Sequence, residues 1–226
     1  MVEIFKKYGL KITDFQAEKF EKYYELLVTY NKMFNLTSIT EKEEVYVKHF
    51  VDSALVVDKL NGKTLLDVGS GGGFPAIPIK ILREDIEVTM LEATGKKCEF
   101  LREVINSLNL SGIKVVCGRA EEVAKDVNFR EKFDLCTARA VARLNTLCEY
   151  CMPFVKVGGE FVSLKGDGEE ELIEAQNAIK ILGGNTLKME TYELEGAKRS
   201  LIFIKKIKNT DKKYPRGQGK ERKKPL

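Results

Sequence analysis

The chain has 226 residues and a mass of 25.6 kDa, enough for one domain with a full hydrophobic core, or one domain with an appendage. Hydrophobic residues make up 43% and charged residues 32%, which excludes a chain that is disordered throughout. No run approaches the roughly 20 apolar residues that span a bilayer, and the first ten residues carry Glu3, Lys6 and Lys7 instead of a secretory signal. We therefore expect a cytoplasmic protein that does not bind membranes.

The formal net charge of +4 is unevenly distributed along the chain. Residues 205–226 contain ten Lys or Arg and two acidic residues, a net charge of +8, so residues 1–204 carry −4. Two prolines, two glycines and one aromatic residue in this segment predict a flexible basic tail over residues 208–226. Two interpretations stay open: a solvated terminus that improves solubility, or an arm that contacts the phosphates of a polyanionic partner.

Five cysteines occur, an odd number in a chain without a secretion signal: Cys98, Cys117, Cys136, Cys148 and Cys151. This favours reduced thiols over a disulfide framework. Cys148 and Cys151 form a CxxC pair, but the chain has one histidine and no second CxxC with which to complete a four-ligand zinc site. We therefore predict no bound metal.

Residues 1–62 are predicted to form a helical cap. A capping box at Thr13–Gln16 opens a helix whose apolar residues recur at steps of three and four until Asn35. A second box at Thr40–Glu43 opens a further helix that ends near residues 61–62.

Over residues 63–207, short apolar runs alternate with helical stretches. The runs TLLDVG, EVTMLE, IKVVCG, FDLCTA and GEFVSLKG are predicted strands, each followed by a predicted helix, the first of which starts after Pro78. TLKMETYEL and SLIFIKKI have no helix between them and predict an antiparallel hairpin around Glu195-Gly196. The alternation predicts an α/β fold with a doubly wound, mostly parallel sheet and this hairpin at its edge.

A glycine-rich loop, Asp67-Val68-Gly69-Ser70-Gly71-Gly72-Gly73-Phe74-Pro75, follows the first predicted strand. Such a loop lets a ligand lie against the backbone at the strand ends where open α/β sheets bind nucleotide-like cofactors. The dinucleotide spacing is met only with Ala76 in place of the third glycine. The Asp67 carboxylate would repel a pyrophosphate but attract a sulfonium, which favours S-adenosylmethionine over NAD.

The next three predicted strands also end in candidate contacts. Glu92 ends the second strand, in the position of a carboxylate that accepts both ribose hydroxyls. Arg119, Ala120 and Glu121 follow the third, where an adenine edge would lie, and Arg139 follows the fourth, beside the reacting centre. Polar residues at one rim of the sheet together indicate a binding crevice.

These segments resemble a known family. LLDVGSGGGFPAIPIKI, LEATGKKCEFLREV, GRAEEV, ARAVARL and LKG, in this order, with NLTSI and HFVDSA upstream, are similar to the ribosomal RNA small subunit methyltransferase G family, also called glucose-inhibited division protein B. The resemblance covers roughly residues 20–205. Ala76 and Ala138 differ from the Gly and Ser frequent in the family, and the basic tail is longer than in some members. A class I S-adenosylmethionine-dependent methyltransferase fold, which is Rossmann-like, is implied.

The resemblance implies transfer of a methyl group from S-adenosylmethionine to N7 of a guanine in 16S rRNA, with S-adenosylhomocysteine as product. The partner would be 16S rRNA or the small ribosomal subunit, and we expect a monomer. Because guanine N7 has a lone pair and no proton, no general base is needed. Enzymes that act on exocyclic base amines usually have an NPPY-like segment after the fourth strand, whereas this chain has Thr137-Ala138-Arg139-Ala140. Cys136 lies inside the predicted strand and is not interpreted as a nucleophile.

Two alternatives stay open. One is a methyltransferase of the same fold that acts on a small molecule or a protein. The other is a non-catalytic ribosome-assembly protein that binds RNA.

Candidate site residues follow from the glycine loop, the matching motifs and the basic tail. The predicted cofactor contacts are Asp67, Gly69, Gly71, Gly73, Phe74, Glu92, Ala93, Thr94, Ala120, Glu121 and Arg139. Arg139, Asp52 and His49 are candidate positioning residues, with a structural ion pair as the alternative for Arg139 and a helix-packing pair for His49 and Asp52. The candidate RNA contacts, each of which also fits a solvated charge, are Arg143, Lys165, Lys212, Lys213, Arg216, Lys220, Arg222, Lys223 and Lys224.

Overall fold

A computed structural model describes residues 1–226 and contains one seven-stranded sheet with helices on both faces. The strands are β1 (Thr64–Val68), β2 (Glu87–Glu92), β3 (Ile113–Cys117), β4 (Phe133–Arg139), β5 (Val155–Lys165), β6 (Gly184–Leu194) and β7 (Ala197–Lys206). Their order is β3-β2-β1-β4-β5-β7-β6, with β1 to β5 parallel and β7 antiparallel to both of its neighbours. The prediction of a doubly wound, mostly parallel sheet with an antiparallel edge hairpin is confirmed.

Ten α-helical segments accompany the sheet. They are α1 (Val2–Lys7), α2 (Asp14–Asn31), α3 (Lys42–Val45), α4 (Asp52–Ala54), α5 (Ala76–Leu82), α6 (Gly95–Ser107), α7 (Ala120–Val123), α8 (Leu144–Cys151), α9 (Glu169–Ile181) and α10 (Lys220–Lys223). One π-helical turn, Tyr46–Val51, joins α3 to α4. No helix has both the length and the apolar character required to cross a membrane.

Two hydrophobic clusters lie on opposite faces of the sheet. The first joins the N-terminal helices to α5 and α6 and includes Phe20, Phe50 and Leu65. The second joins α8 and α9 to the other face and includes Leu66 and Phe161. Leu65 and Leu66 are neighbours in β1, and successive side chains of a strand point to opposite faces. Residues 1–62 thus share a core with the sheet, and their separation as a cap stays a prediction.

The first helix boundary is partly as predicted. The Thr13–Gln16 capping box is present, with both reciprocal hydrogen bonds. The helix ends at Asn31, four residues before Asn35, because the Asn31 side-chain oxygen accepts from the backbone N–H groups of Leu36 (2.8 Å) and Thr37 (3.0 Å) and turns the chain.

Two other helix starts differ from the prediction. The box at Thr40–Glu43 does not form, because α3 is capped by Glu41, whose side chain makes no capping bond. Helix α5 begins at Ala76, before Pro78. Proline is tolerated in the first turn because the N–H group that it lacks would have no partner within the helix there.

Residues 208–226, the predicted basic tail, pack against the rest of the protein in this structure. Tyr214 is buried in the second hydrophobic cluster, and Glu221 within α10 is fully buried. The segment lies against α8. It has few apolar residues, and hydrogen bonds with α8 hold it in place. All five cysteines are free thiols, with Cys148 and Cys151 buried in α8.

Candidate active site

A cavity of about 780 Å³, the main cavity, opens at the carboxyl ends of β1 to β4. Nine of the eleven predicted cofactor contacts line it: Gly69, Gly71, Phe74, Glu92, Ala93, Thr94, Ala120, Glu121 and Arg139. Arg119 lines it as well. Since the carboxyl ends of parallel strands meet at one edge of the sheet, four separate loops contribute to one crevice.

The glycine loop is shaped to admit a ligand. Gly69 donates its N–H to the Leu91 carbonyl oxygen at 2.7 Å, which ties the loop to the end of β2. Gly71 has φ of +55°, in the left-handed region that favours glycine. A Cβ at Gly71 would have only the Gly69 carbonyl oxygen nearby, at 3.9 Å. The open side of Gly71 therefore leaves room for a ligand against the backbone.

Glu92 organises the centre of the main cavity. One carboxylate oxygen accepts from the Gly71 N–H at 2.9 Å and the other from the Thr94 N–H at 2.8 Å. Each oxygen keeps a further lone pair, and the residue is 7% exposed, at the cavity wall. The carboxylate thus fixes the two loops and can still accept two hydroxyl donors.

Asp67 and Gly73 differ from the expectation, because neither lines the main cavity. Asp67 is fully buried; one carboxylate oxygen accepts from the Thr137 hydroxyl at 2.9 Å, and the other has no hydrogen-bond partner. Burial raises the pKa of Asp67 to about 7. At Gly73 a Cβ would lie 2.5 Å from Ile77 Cδ1 and the Tyr23 hydroxyl, so this glycine permits close packing rather than ligand contact.

A second cavity of about 290 Å³, the side cavity, adjoins the main cavity. Both are lined by His49, Arg139 and Ala140, which form their shared wall. The remaining lining residues come from the N-terminal helices, the end of β5 and the β6–β7 hairpin, and are Ile39, Lys48, Asp52, Leu164, Lys165, Gly166, Tyr192 and Arg199.

Asp52 is the centre of a polar network in the side cavity. Its carboxylate accepts from Arg139 Nη1 at 3.0 Å and from the Tyr192 hydroxyl at 2.8 Å, and lies 3.6 Å from Arg199 Nε. The Asp52 side chain is only 6% exposed. Burial and the Asp52 charge raise the pKa of Tyr192 well above its ordinary value, which keeps this hydroxyl protonated. Arg139 therefore forms an ion pair and also lines both cavities.

His49 is held in the neutral form. Its Nδ1 lies 3.1 Å from Arg139 Nη2, and its Nε2 lies 2.8 Å from the Thr37 hydroxyl oxygen. A guanidinium only donates, so the contact with Arg139 favours a lone pair on Nδ1, which also lies 3.2 Å from the Lys48 carbonyl oxygen. Burial, with the Arg139 charge as the next cause, lowers the pKa of His49 to about 3. The imidazole stacks on Phe74 with ring centroids 4.5 Å apart.

Several predicted RNA contacts form ion pairs within the protein, including Lys165, which also lines the side cavity. Arg143 pairs with Glu174 at 2.6 Å, Lys165 with Glu171 at 2.8 Å, and Arg216 with Glu149 at 2.7 Å. Arg222 lines the main cavity. The exposed cations that remain are Lys212, Lys213, Lys220, Lys223 and Lys224.

The lining residues that were not predicted include Thr37, Tyr150, Tyr192, Arg199 and Gly219. Tyr192 and Arg199 are directly opposite each other in the β6–β7 pair, so both side chains lie on one face of the hairpin. An aromatic hydroxyl paired with an arginine across a predicted hairpin is a signal that could have pointed to them. The other residues depend on contacts that the local sequence does not encode.

The strand order, the glycine loop after β1 and the carboxylate at the end of β2 define the fold of class I S-adenosylmethionine-dependent methyltransferases. Solved structures share this fold. A putative O-methyltransferase from Klebsiella pneumoniae has a TM-score of 0.57 at 14% identity, covering 82% of this chain and 90% of that chain. P. horikoshii TYW2 in complex with MeSAdo has a TM-score of 0.54 at 16% identity, covering 70% of this chain and 61% of that chain.

Sequence relatives define the family within this class. Residues 16–202 match the family model of rRNA small subunit methyltransferase G. A relative from Lactobacillus acidophilus named ribosomal RNA small subunit methyltransferase G is 46% identical, covering 97% of this chain and 95% of the relative. One of the same name from Lachnoclostridium phytofermentans is 47% identical, covering 96% and 93%. The chain belongs to the rRNA small subunit methyltransferase G family, as its motifs predicted.

Proposed function

We propose that this protein transfers a methyl group from S-adenosylmethionine to N7 of a guanine in 16S rRNA of the small ribosomal subunit. The observation that carries the proposal is the shared wall of the two cavities, where no side chain is free to act as a general base. A cofactor cavity that meets an acceptor cavity without a base suits an acceptor atom that has a lone pair and no proton.

The main cavity fits S-adenosylmethionine by its chemistry. The two free lone pairs of Glu92 would accept the ribose hydroxyls, and the open side of Gly71 would admit the ligand against the backbone. Glu121, half-buried at the end of β3, would accept from the adenine amine. When bound, S-adenosylmethionine supplies an electrophilic methyl group on its sulfonium.

The side cavity would receive the guanine. Its wall combines the cations Arg139, Lys165 and Arg199 with the apolar side chains Ile39 and Leu164. Cations beside an apolar surface suit a base and its adjoining phosphates. A base can enter such a cavity only after it leaves its stack, so we expect the target guanine to be unpaired or flipped out.

The transfer is a direct displacement in which no proton moves. The N7 lone pair forms the new bond to the methyl carbon as the carbon–sulfur bond breaks, and the electron pair of that bond stays on sulfur. Neutral His49 and ion-paired Asp52 hold the Arg139 guanidinium between the two cavities rather than accept a proton. Catalysis then rests on alignment of the reacting atoms and on the electrostatics of the wall.

The direct test is transfer of radiolabelled methyl from S-adenosylmethionine to 16S rRNA and to small subunits that lack the modification, followed by nucleoside analysis. We expect the label in N7-methylguanosine. Bound cofactor with no label in either RNA would indicate a small-molecule or protein acceptor. Tight RNA binding without measurable cofactor affinity would indicate the non-catalytic alternative.

A paired substitution tests the place of the guanine. Arg199→Ala removes a cation from the side cavity, whereas Lys198→Ala removes its neighbour, which pairs with Asp167 and Glu169 on the surface. We expect Arg199→Ala to lower kcat/KM for RNA by about tenfold or more, the value of a lost hydrogen bond to a charged group, with an unchanged Kd for S-adenosylmethionine. Equal activity of the two variants would contradict this location of the guanine.

A further inference from the structure

We propose that the segment Thr210–Lys223, the C-terminal strap, completes the adenosine end of the cofactor site, and that Arg222 contacts the adenine. The inference rests on the proposed use of S-adenosylmethionine. It assigns Arg222 to the cofactor and not to the RNA, and it gives the docked tail a role in binding a small ligand.

The start of the strap is fixed by Arg130, which precedes β4. Arg130 Nη2 donates to the Thr210 carbonyl oxygen at 2.8 Å and to that of Asp211 at 3.1 Å. Its Nη1 donates to the Tyr214 carbonyl oxygen at 2.9 Å. One guanidinium therefore satisfies three strap carbonyls, and Tyr214 is buried in the hydrophobic cluster beside it.

The second half of the strap is fixed by helix α8. Glu149 is fully buried and accepts from the Arg216 backbone N–H at 2.8 Å, from Nε at 2.9 Å and from Nη2 at 2.7 Å. The Thr146 hydroxyl donates to the Glu221 carbonyl oxygen at 2.9 Å. The Glu221 carboxylate accepts from the Gly217 N–H, which closes the turn before α10. A buried ion pair with these added bonds gives the strap a defined position.

This position brings two strap residues, Gly219 and Arg222, to the wall of the main cavity. Tyr150 of α8 and Glu121 of α7 line the same cavity. Burial raises the pKa of Tyr150, and the neighbouring Arg222 guanidinium counteracts the rise. Helices α7 and α10 both contact α8, so the strap and the segment that follows β3 meet at one part of the cavity.

Sheet order identifies this part as the adenosine end. The strands run β3-β2-β1-β4 beneath the cavity, with Glu92 at the end of β2 and Arg139 at the end of β4. The transferred methyl belongs near Arg139, where the two cavities meet, and the ribose belongs on Glu92. The adenine then lies beyond β2, at β3, beside Glu121 and Arg222.

The side chains at this end match an adenine. The ring nitrogens of adenine accept hydrogen bonds and its exocyclic amine donates them. Arg222 carries only donors and a planar group that stacks on rings, whereas the Glu121 carboxylate carries only acceptors. Together they complement both kinds of polar group on the base. The five exposed lysines of the tail would not do so.

The experiment compares Arg222→Ala with Lys223→Ala, the adjacent exposed residue of α10, which does not line the cavity. Isothermal titration measures the Kd for S-adenosylmethionine and for 5′-methylthioadenosine, which keeps the adenosine half and lacks the amino acid. We expect Arg222→Ala to raise both Kd values by about tenfold, as for loss of one charge-assisted contact. Lys223→Ala should leave both unchanged.

The outcomes separate this inference from the proposed function. If the unaltered protein binds neither ligand, the proposed function fails first. If it binds both and Arg222→Ala matches Lys223→Ala, the strap assignment is overturned, and a fall in RNA affinity would then make Arg222 an RNA contact. Arg222→Lys is a second test, because it keeps the charge but not the planar donor group. A Kd near that of Arg222→Ala supports adenine contact, and a Kd equal to that of the unaltered protein overturns it.

Discussion

The main cavity and the side cavity share one wall but are built in different ways. Each loop of the main cavity directly follows one strand of the parallel sheet, so its shape follows from local sequence and strand order. The side cavity is closed by segments far apart in the chain: the Asp52 carboxylate meets Arg139, 87 residues away, and Tyr192, 140 residues away.

The difference shows how one sheet serves two purposes. Parallel strand ends supply backbone N–H groups and a carboxylate for a ligand that many enzymes of this fold share. The N-terminal helices and the antiparallel hairpin add the wall of the side cavity, which a buried ion-pair network holds in place. Cofactor binding and acceptor recognition should therefore respond to different substitutions.

The largest expected effect is on the network between the cavities. Arg139→Ala leaves the Asp52 carboxylate buried without its best partner, and breaking a buried pair in this way costs about 3–5 kcal/mol. Tyr192 and Arg199 remain beside Asp52, so we expect a loss in free energy of unfolding near the lower limit. Urea denaturation measures it.

Arg143→Ala is the matched control. Arg143 also forms an arginine–carboxylate pair, with Glu174, but both side chains are at least half exposed. We expect its removal to leave the free energy of unfolding nearly unchanged. If the two variants were equally stable, the Asp52 network would not hold the side cavity together.

Most of the main cavity could be predicted from the sequence, because the information is local. The glycine loop, Glu92 and Glu121 are each placed by the strand that precedes them. Asp67 and Gly73 are the two exceptions. The place of Asp67 before the glycines suggests ligand contact, yet it is buried beneath the loop. The direction in which a strand-end side chain points depends on the register, which the sequence pattern did not resolve.

The side cavity and the docked tail could not be predicted in this way. His49 and Asp52 could be placed on one helix face, but their meeting with Tyr192 and Arg199 depends on how the N-terminal helices pack over the hairpin. The tail has too few apolar residues for its burial to be predicted. Its position depends on Glu149, which the sequence alone predicts to be exposed but which is buried and paired with Arg216.

A smaller effect is expected in the main cavity, where the test is cofactor affinity rather than stability. Glu92→Ala removes the proposed acceptor for two ribose hydroxyls and the anchor of the Gly71 and Thr94 N–H groups. We expect the Kd for S-adenosylmethionine to rise by roughly a hundredfold, the value of two charge-assisted hydrogen bonds. Titration calorimetry measures it, with Glu99→Ala, an exposed glutamate on α6, as the control. An unchanged Kd in Glu92→Ala would place the ribose elsewhere.

The last effect is a pH dependence in which His49, on the wall shared by the cavities, and Asp67, buried beneath the glycine loop, oppose each other. His49 titrates at about 3 in the folded protein and at its ordinary 6.5 when unfolded, so between these values the unfolded chain holds the extra proton and stability rises with pH. Asp67 titrates at about 7 when folded and at its ordinary 3.8 when unfolded, so between these values the folded protein holds the extra proton and stability falls as pH rises.

Because both windows include the range from pH 3.8 to 6.5, the two slopes offset each other there in the unaltered protein. Asp67→Asn removes the falling contribution, so its stability relative to the unaltered protein should rise with pH, by up to about 1.4 kcal/mol per pH unit. His49→Gln should show the reverse below pH 6.5. Urea unfolding across this range measures the free energy of unfolding of each variant and of the unaltered protein. The titratable groups that they share cancel in the difference. A flat difference for Asp67→Asn would mean that the pKa of Asp67 is not raised by burial, and that a charged carboxylate lies beneath the glycine loop.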